Sequence, residues 1–293
     1  MTDSAHGATP APTTLRLPAP AKLNRLLHIT GRRADGYHEL QTLFQLLDLS
    51  DSVTLTARND GRLALASTLD GVAADDNLAL RAARLLKRRA PAGCGATVAI
   101  DKRLPMGGGL GGGSSNAATV LLGLNALWQL ELSLDTLATL GLELGADVPV
   151  FIKGHSAWAE GIGEKLTPVT LETPWFVILH PGVSVSTPAV FSDPQLTRHT
   201  PPISMARALR GGAPTWQNDC EAVVKTQYPP VANALDFLAR FAPSRLTGTG
   251  ACVFAAFDKV KDAERVAQAA GQYGTARVAK GCNVSPLHDA LGG

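Results

Sequence analysis

The sequence predicts strands and helices packed against one another in layers, in two domains or one large one. Three observations predict it. Strand-like and helix-like runs intermix from one end of the chain to the other, the pattern of α and β elements sharing a layered core. The chain has 293 residues, which suits one large domain or two of ordinary size. Hydrophobic residues make up 45% and charged residues 18%, enough for a sizeable core and too little charge for wholesale disorder.

The first dozen residues, MTDSAHGATPAP, are small and polar with prolines. They lack the basic start and apolar stretch of a signal peptide, so residues 1–13 read as a disordered tail. Strand-like runs follow at Leu15–Leu17, Leu40–Leu47, Ser52–Ala57 and Arg62–Ser67, separated by Gly and Asp turn signals. Asn77 is placed to cap a helix running to about Ala90, and Ala96–Ile100 reads as another strand. A helix from about Ser115 to Trp128 is apolar nearly all round and so should be buried. Ser133 caps a further helix ending near Gly145. In the second half, Trp175–Leu179 reads as a strand ended by His180-Pro181-Gly182. Helices are expected near Asn218–Gln227, Val231–Arg240 and Asp258–Gly271, and strands at Ala251–Phe257 and Ala276–Ala279. Turn signals at Gly161, Gly163 and Pro168 put a boundary near there, dividing the chain into 14–166 and 167–293.

The formal net charge is +2, from 27 basic and 25 acidic residues, too even for a dedicated nucleic-acid binder. The densest basic cluster, Arg81, Arg84, Lys87, Arg88 and Arg89, reads as the wet face of a helix that turns Leu80, Ala83, Leu85 and Leu86 inward. Four cysteines, Cys94, Cys220, Cys252 and Cys282, form no C-x-x-C pair and match no zinc spacing. They read as reduced, mostly buried thiols. No run approaches the ~18 apolar residues that a membrane-spanning helix needs. A cytoplasmic protein, monomeric or weakly dimeric, is expected.

The chemistry concentrates at Pro105-Met106-Gly107-Gly108-Gly109-Leu110-Gly111-Gly112-Gly113-Ser114-Ser115. Glycine costs folding entropy, so this cluster implies a backbone task that side chains would obstruct. Wrapping N–H groups around phosphate oxygens is such a task, and the following helix adds its free amides and positive dipole end. Ser114 and Ser115 bring hydroxyls for phosphate or Mg²⁺. A flexible linker would have no buried helix attached. The ATPase P-loop fails, because no Lys-Ser or Lys-Thr closes the loop. Gly107, Gly109 and Gly112 formally satisfy G-x-G-x-x-G. That fingerprint also needs an acidic residue ending the next strand, and Glu131 instead sits between two helices. ATP is the favoured ligand.

Four further segments accompany this loop: Pro20-Ala21-Lys22-Leu23-Asn24, Gly31-Arg32-Arg33-Ala34-Asp35-Gly36-Tyr37-His38-Glu39-Leu40, Gly145-Ala146-Asp147-Val148-Pro149 and Thr247-Gly248-Thr249-Gly250-Ala251-Cys252. In this order the five resemble the superfamily of galactokinase, homoserine kinase, mevalonate kinase and phosphomevalonate kinase. The pairing of Pro-Ala-Lys-x-Asn with Asp-Gly-Tyr-His resembles the branch that acts on a cytidine-diphosphate-linked methylerythritol. The resemblance runs from about Thr14 to Val284.

It implies an α+β two-domain kinase. The N-terminal domain would be like ribosomal protein S5 domain 2 and the C-terminal one ferredoxin-like, with the active site between them. It implies ATP with Mg²⁺, whose ligands the sequence leaves open, and a small-molecule substrate phosphorylated on its 2-hydroxyl. Asp147 would be the base that accepts the hydroxyl proton, with Lys22 as its counter-charge. Pro105–Ser115, with Gly248, Thr249 and Gly250, would hold ATP. Asn24 and Thr187 would meet the methylerythritol end. Tyr37 and Phe191 would sandwich the cytosine, with His38 at its edge. By themselves, Asp147 also reads as a turn residue before Val148-Pro149, Thr187 as a helix cap ahead of Pro188, and Phe191 as core. Arg25 stands where such kinases carry an apolar residue.

Overall fold

The computed structural model describes residues 13–66, 71–212 and 216–292. The tail expected over 1–13 lies outside the described residues apart from Thr13, as does Ser67 at the end of the fourth expected strand.

Two long antiparallel strands, β1 (Thr14–Arg32) and β2 (His38–Arg58), open the fold. The short strand signals at 15–17, 40–47 and 52–57 are parts of these two ribbons. Register shifts interrupt their pairing between Pro20 and Lys22, Asn24 and Leu26, and Ile29 and Gly31. Such bulges re-aim side chains, and the first two bracket Lys22 and Asn24. Among the described strands β1 pairs only with β2, which lets Pro18 and Pro20 sit in it without breaking a ladder on a second side.

β3 (Leu63–Leu65), α1 (Leu78–Lys87) and β4 (Gly95–Asp101) come next. The Asn77 side chain caps α1 as its position suggests, accepting from Ala79 N and Leu80 N. α2 (Gly112–Leu127) is buried on almost every side of its middle turns, as its unbroken apolar run requires. α3 (Leu134–Leu142) is capped by Ser133. Then follow α4 (Val148–Lys153), β5 (Ala157–Gly161) and β6 (Lys165–Pro168). The second half contains β7 (Trp175–His180), α5 (Thr187–Ser192), α6 (Met205–Gly211), α7 (Glu221–Gln227) and α8 (Pro229–Ala239). It closes with β8 (Ser244–Leu246), β9 (Val253–Phe257), α9 (Val260–Ala269), β10 (Thr275–Cys282) and α10 (Pro286–Leu291).

Hydrogen bonding joins the strands in the order β3-β4-β2-β10-β7-β9-β8, with β1 and β5 also on β2, and β6 on β5. β10 is the link between halves. Its body pairs with β7, and its last two residues pair with Leu46 and Leu47 of β2. One core lies between α2 and the first strands, around Phe44, Leu55, Leu121 and Phe151. A second lies under α7, α8 and α9, around Val177, Leu235 and Val253. A third, containing Leu23, Leu110, Phe176 and Phe254, fills the joint.

Some elements escape sequence reading for local reasons. Pro149 looks like a turn signal, yet it stands in the first turn of α4, where its missing N–H costs nothing. Gly161 and Gly163 look like a boundary, but their φ of 74° and 111° shape the β5–β6 hairpin. The expected division at 166/167 falls inside β6, and Leu287 of α10 returns to the first core. The helix expected from Ser115 begins three residues earlier, its first turn made of Gly112 and Gly113. The four cysteines are unbridged, and burial pushes the Cys220 and Cys252 thiols up to about 12. Among the described residues no helix is long and apolar enough to cross a membrane.

One buried carboxylate sets where the glycine-rich segment begins. Asp51 of β2 is 1% exposed. It accepts from Lys102 Nζ at 2.6 Å, Arg103 N at 2.7 Å and Leu104 N at 2.8 Å. Removing it strands one cation and two backbone donors. Asp51→Ala is expected to cost about 3–5 kcal/mol in urea unfolding, and Asp51→Asn, which keeps one acceptor oxygen, measurably less.

Candidate active site

A cleft of about 670 Å³ lies between the halves, with Lys22, Gly109, Asp147, Thr187 and Thr249 among the residues on its walls. One end of it is made of backbone. Gly107, Gly109 and Gly111 take left-handed φ of 64°, 73° and 72°. Gly111 caps α2, so the loop runs straight into the free amides of a 16-residue helix, a ready anion site. The C-terminal segment packs onto this loop. Ala251 N donates to Gly107 O and Cys252 N to Gly108 O, both at 3.1 Å. The approach is so close that a Cβ on Gly109 would sit 2.1 Å from Thr247 O. Gly248–Gly250 thus lies beside the first loop.

Lys22 projects from β1 into the cleft and is only 3% exposed. Its ammonium has three protons and three acceptors. These are Asn24 Oδ1 at 2.5 Å, Gly109 O at 3.1 Å and Asp147 Oδ2 at 3.3 Å. Asp147 occupies the N-cap position of α4, but its side chain makes no cap hydrogen bond. A carboxylate there would ordinarily satisfy helix amides; here it faces the lysine. The turn reading of its position is correct for the backbone alone.

Asn24 is pinned from three sides. Its Nδ2 donates to Thr42 Oγ1 at 2.8 Å, its N donates to Thr247 Oγ1 at 3.0 Å, and its Oδ1 accepts from Lys22 Nζ. Thr42 and Thr247 were not among the expected site residues. Thr247 opens the Thr247–Cys252 motif, while Thr42 is one polar residue in a strand and carries no signal of its own. Lys102, Asn77 and Asn116 also border the cleft. Thr187 does not cap α5; Ser186 does so, accepting from Ala189 N. The Thr187 hydroxyl is thereby free to pair with Thr249 Oγ1 at 2.8 Å.

Ser114 borders the cleft, whereas Ser115 lies fully buried beneath it. The Ser115 hydroxyl, Asn116 Oδ1 and Asn77 Nδ2 are buried with no hydrogen-bond partner among protein atoms. Unpaired buried polar atoms are costly, and three of them around the start of α1 and α2 fit a site completed by a polar ligand. No cluster of three His, Cys, Asp or Glu that could hold a metal occurs among the described residues.

At the far end the aromatic residues are arranged differently from the expectation. The ring stacked on Phe191 is His38, with centroids 5.0 Å apart and an interplanar angle of 29°. Tyr37 is 60% exposed. It ends a turn closed by Arg33 N to Tyr37 O, with Tyr37 N on Asp35 Oδ1, so no element packs its ring inward. Arg25, the residue added at the second β1 bulge, points away from the cleft. Its guanidinium lies 5.0 Å from the Phe176 ring centroid and 4.6 Å from that of Trp216, and Nη1 donates to Gln45. Burial lowers its pKa to about 10, with Arg245 adding to the effect.

Comparison with known proteins adds the following. The family described as GHMP kinases N terminal domain matches residues 77–155, and GHMP kinases C terminal matches 202–276. The chain is 62% identical over 281 residues to 4-diphosphocytidyl-2-C-methyl-D-erythritol kinase of Chromohalobacter salexigens, covering 95% of this chain and 94% of that protein. A crystal structure of 4-(cytidine 5'-diphospho)-2C-methyl-D-erythritol kinase superposes with a TM-score of 0.79 at 34% identity, over 91% of this chain and 99% of that one. Homoserine kinase from Cytophaga hutchinsonii shares the fold at 17% identity with a TM-score of 0.66, over 93% and 95% of the two chains.

The approach of the two loops yields a direct test. Gly109→Ala must displace either loop, and misplacement by about 1 Å costs on the order of 10²-fold in turnover. Gly182→Ala has the same left-handed strain, with φ of 75°, and open space around its Cβ. It should lose a little stability and keep its turnover.

Proposed function

The chain belongs to the 4-diphosphocytidyl-2-C-methyl-D-erythritol kinase family of the GHMP kinases, and from that premise we propose that it moves the terminal phosphoryl group of ATP onto the 2-hydroxyl of 4-diphosphocytidyl-2-C-methyl-D-erythritol, a step toward isoprenoid precursors. The α+β two-domain kinase fold and the use of ATP come with the family. The observation that carries the residue-level reading is the Lys22–Asp147 pair, 3.3 Å apart beside a backbone anion cradle.

Phosphoryl transfer asks for alignment and neutralised charge more than for covalent help. In this reading Pro105–Ser115 and Gly248, Thr249 and Gly250 hold the ATP phosphates through amides and hydroxyls. Mg²⁺ bound with the nucleotide would supply further neutralisation of phosphate charge, and Ser114, the loop hydroxyl that borders the cleft, would help to hold it. The substrate hydroxyl lies against Asp147, which takes its proton as the new O–P bond forms and ADP leaves. Lys22 holds Asp147 in place, and its charge offsets that of the phosphoryl group in transit. Asn24 and Thr187 orient the methylerythritol end. Phe191 and His38 form the nucleobase end, and Tyr37, exposed at the rim, closes over it when the cytidyl group is bound. Residues 14–166 then carry the phosphate loop and the base, and 167–293 carry Thr187 and Phe191.

Three measurements test this. A coupled ATPase assay should show turnover with the cytidyl-diphosphate methylerythritol and none with homoserine or mevalonate; turnover of either of the latter at a comparable rate would overturn the substrate assignment. Asp147→Asn should lower kcat by roughly 10²–10⁴-fold, the scale of a positioned acid–base group, with ATP binding retained. Phe191→Ala should raise KM for the cytidyl substrate roughly tenfold, as expected for loss of about 1–3 kcal/mol of base stacking, and leave KM for ATP unchanged. Equal damage to both constants would remove Phe191 from the nucleobase end.

A further inference from the structure

In the cytidyl reading the base end rests on two stacked rings from different halves of the molecule, Phe191 of α5, which borders the cleft, and His38 at the start of β2, packed against it. Stacked rings alone slide and rotate, so something must hold them in register. One side chain bonds both the His38 ring and the backbone that carries Phe191. Arg198 Nε donates to His38 Nε2 at 3.2 Å. Its Nη2 donates to Phe191 O at 2.8 Å and Asp193 O at 2.7 Å, and its Nη1 donates to Leu196 O at 3.1 Å. No carboxylate lies within ion-pair distance of it among the described residues. The charge of this guanidinium is therefore spent on carbonyl oxygens and one imidazole nitrogen.

We infer that Arg198 is a positioning residue of the nucleobase subsite: its guanidinium locks the His38 ring against Phe191 as the neutral tautomer that carries its proton on Nδ1. The tautomer follows from the hydrogen bond. A guanidinium only donates, so the nitrogen it meets must be the lone-pair one, and the remaining proton sits on the other ring nitrogen. Nδ1–H is then a donor held ready for an acceptor on a base edge, such as the ring nitrogen or carbonyl oxygen of cytosine. An imidazolium would lose the Arg198 bond and repel it. The surroundings agree with this: the His38 pKa lies below the ordinary histidine value because of burial first, then the positive charges of Arg198 and Arg32. A side chain that fixes the tautomer of a contacting histidine acts through that histidine.

The inference rests on the cytidyl reading above, and the experiment separates the two. The full-length protein, ¹⁵N-labelled at histidine, is observed by NMR, with His38 assigned by its absence in His38→Gln. The wild type should show a pyrrole-type Nδ1 and a pyridine-type Nε2 for His38, and added CDP should shift the Nδ1 resonance. In Arg198→Met the Nε2–H tautomer should appear, and the His38 pKa should rise while staying below the usual value, because burial persists. KM for the cytidyl substrate should rise roughly tenfold, the scale of one charge-assisted hydrogen bond, with kcat and KM for ATP unchanged. Arg198→Lys keeps a cationic donor without the fork and should recover part of the Nδ1–H tautomer and, with it, part of the KM. An Nε2–H tautomer in the wild type overturns the inference whether or not any variant folds. A wild type that responds to CDP, beside an Arg198→Met that responds identically, overturns the inference alone. A wild type whose His38 ignores CDP overturns both the inference and the cytidyl reading.

Discussion

A lysine ammonium 3% exposed to solvent is the constraint from which the rest of the site follows. Burying an isolated charge is prohibitive unless its donors are satisfied and an opposite charge is near. Lys22 meets both conditions by drawing acceptors from three separate parts of the chain: Asn24 two residues along its own strand, the Gly109 carbonyl of the glycine-rich loop, and the Asp147 carboxylate at the start of α4. Each of these groups is thereby held at a fixed distance from the others. The β1 backbone is tied to the same loop, through Lys22 N to Leu110 O at 3.0 Å. The glycine-rich loop and the Asp147 carboxylate are brought together because one cation bonds both.

The cradle is the joint product of two loops far apart in sequence. The 247–252 segment hydrogen-bonds to Gly107 and Gly108 and leaves no room for a Cβ at Gly109. On the other side, a Cβ at Gly111 would meet the Phe151 ring at 2.8 Å and Lys22 Cε at 3.2 Å. The glycines serve two purposes, φ angles that side chains resist and contacts that side chains would occupy. The Asp51 carboxylate anchors the start of the loop, and α2 anchors its end, so the amides between them have little freedom left to lose on binding an anion.

The end of the cleft at Phe191 is built more lightly. Its aromatic rings come from the start of β2 and from α5, a helix of six residues, and one guanidinium joins them. Arg25 shows how the same strand absorbs an unexpected charge. A bulge turns the residue out of the cleft, two aromatic rings face its guanidinium, and Gln45 takes one of its protons. Cation–π contact is strongest where water is excluded, which allows an arginine where an apolar residue is expected without disturbing Lys22 and Asn24 just before it in β1.

Much of this was legible in the residues. The clustered glycines before a buried apolar run marked a backbone-lined loop at the start of α2, Asn77 and Ser133 marked helix starts, and the five motifs in order carried the family. Those signals are local, since they depend on φ preferences, capping chemistry and periodicity within a few residues. Other features could not be read that way. Whether Asp147 caps its helix or faces Lys22, whether Thr187 caps α5 or pairs with Thr249, and which ring stacks on Phe191 are choices between partners of similar local cost. They are decided by what the rest of the chain places within about 3 Å. The return of β10 and α10 to the first half, and the burial of Lys22 between two loops, are likewise tertiary facts. Sequence determined which groups were available for the chemistry. Packing decided which of them meet, because a hydrogen bond or ion pair is worth forming only where folding has already removed the water that would compete for it.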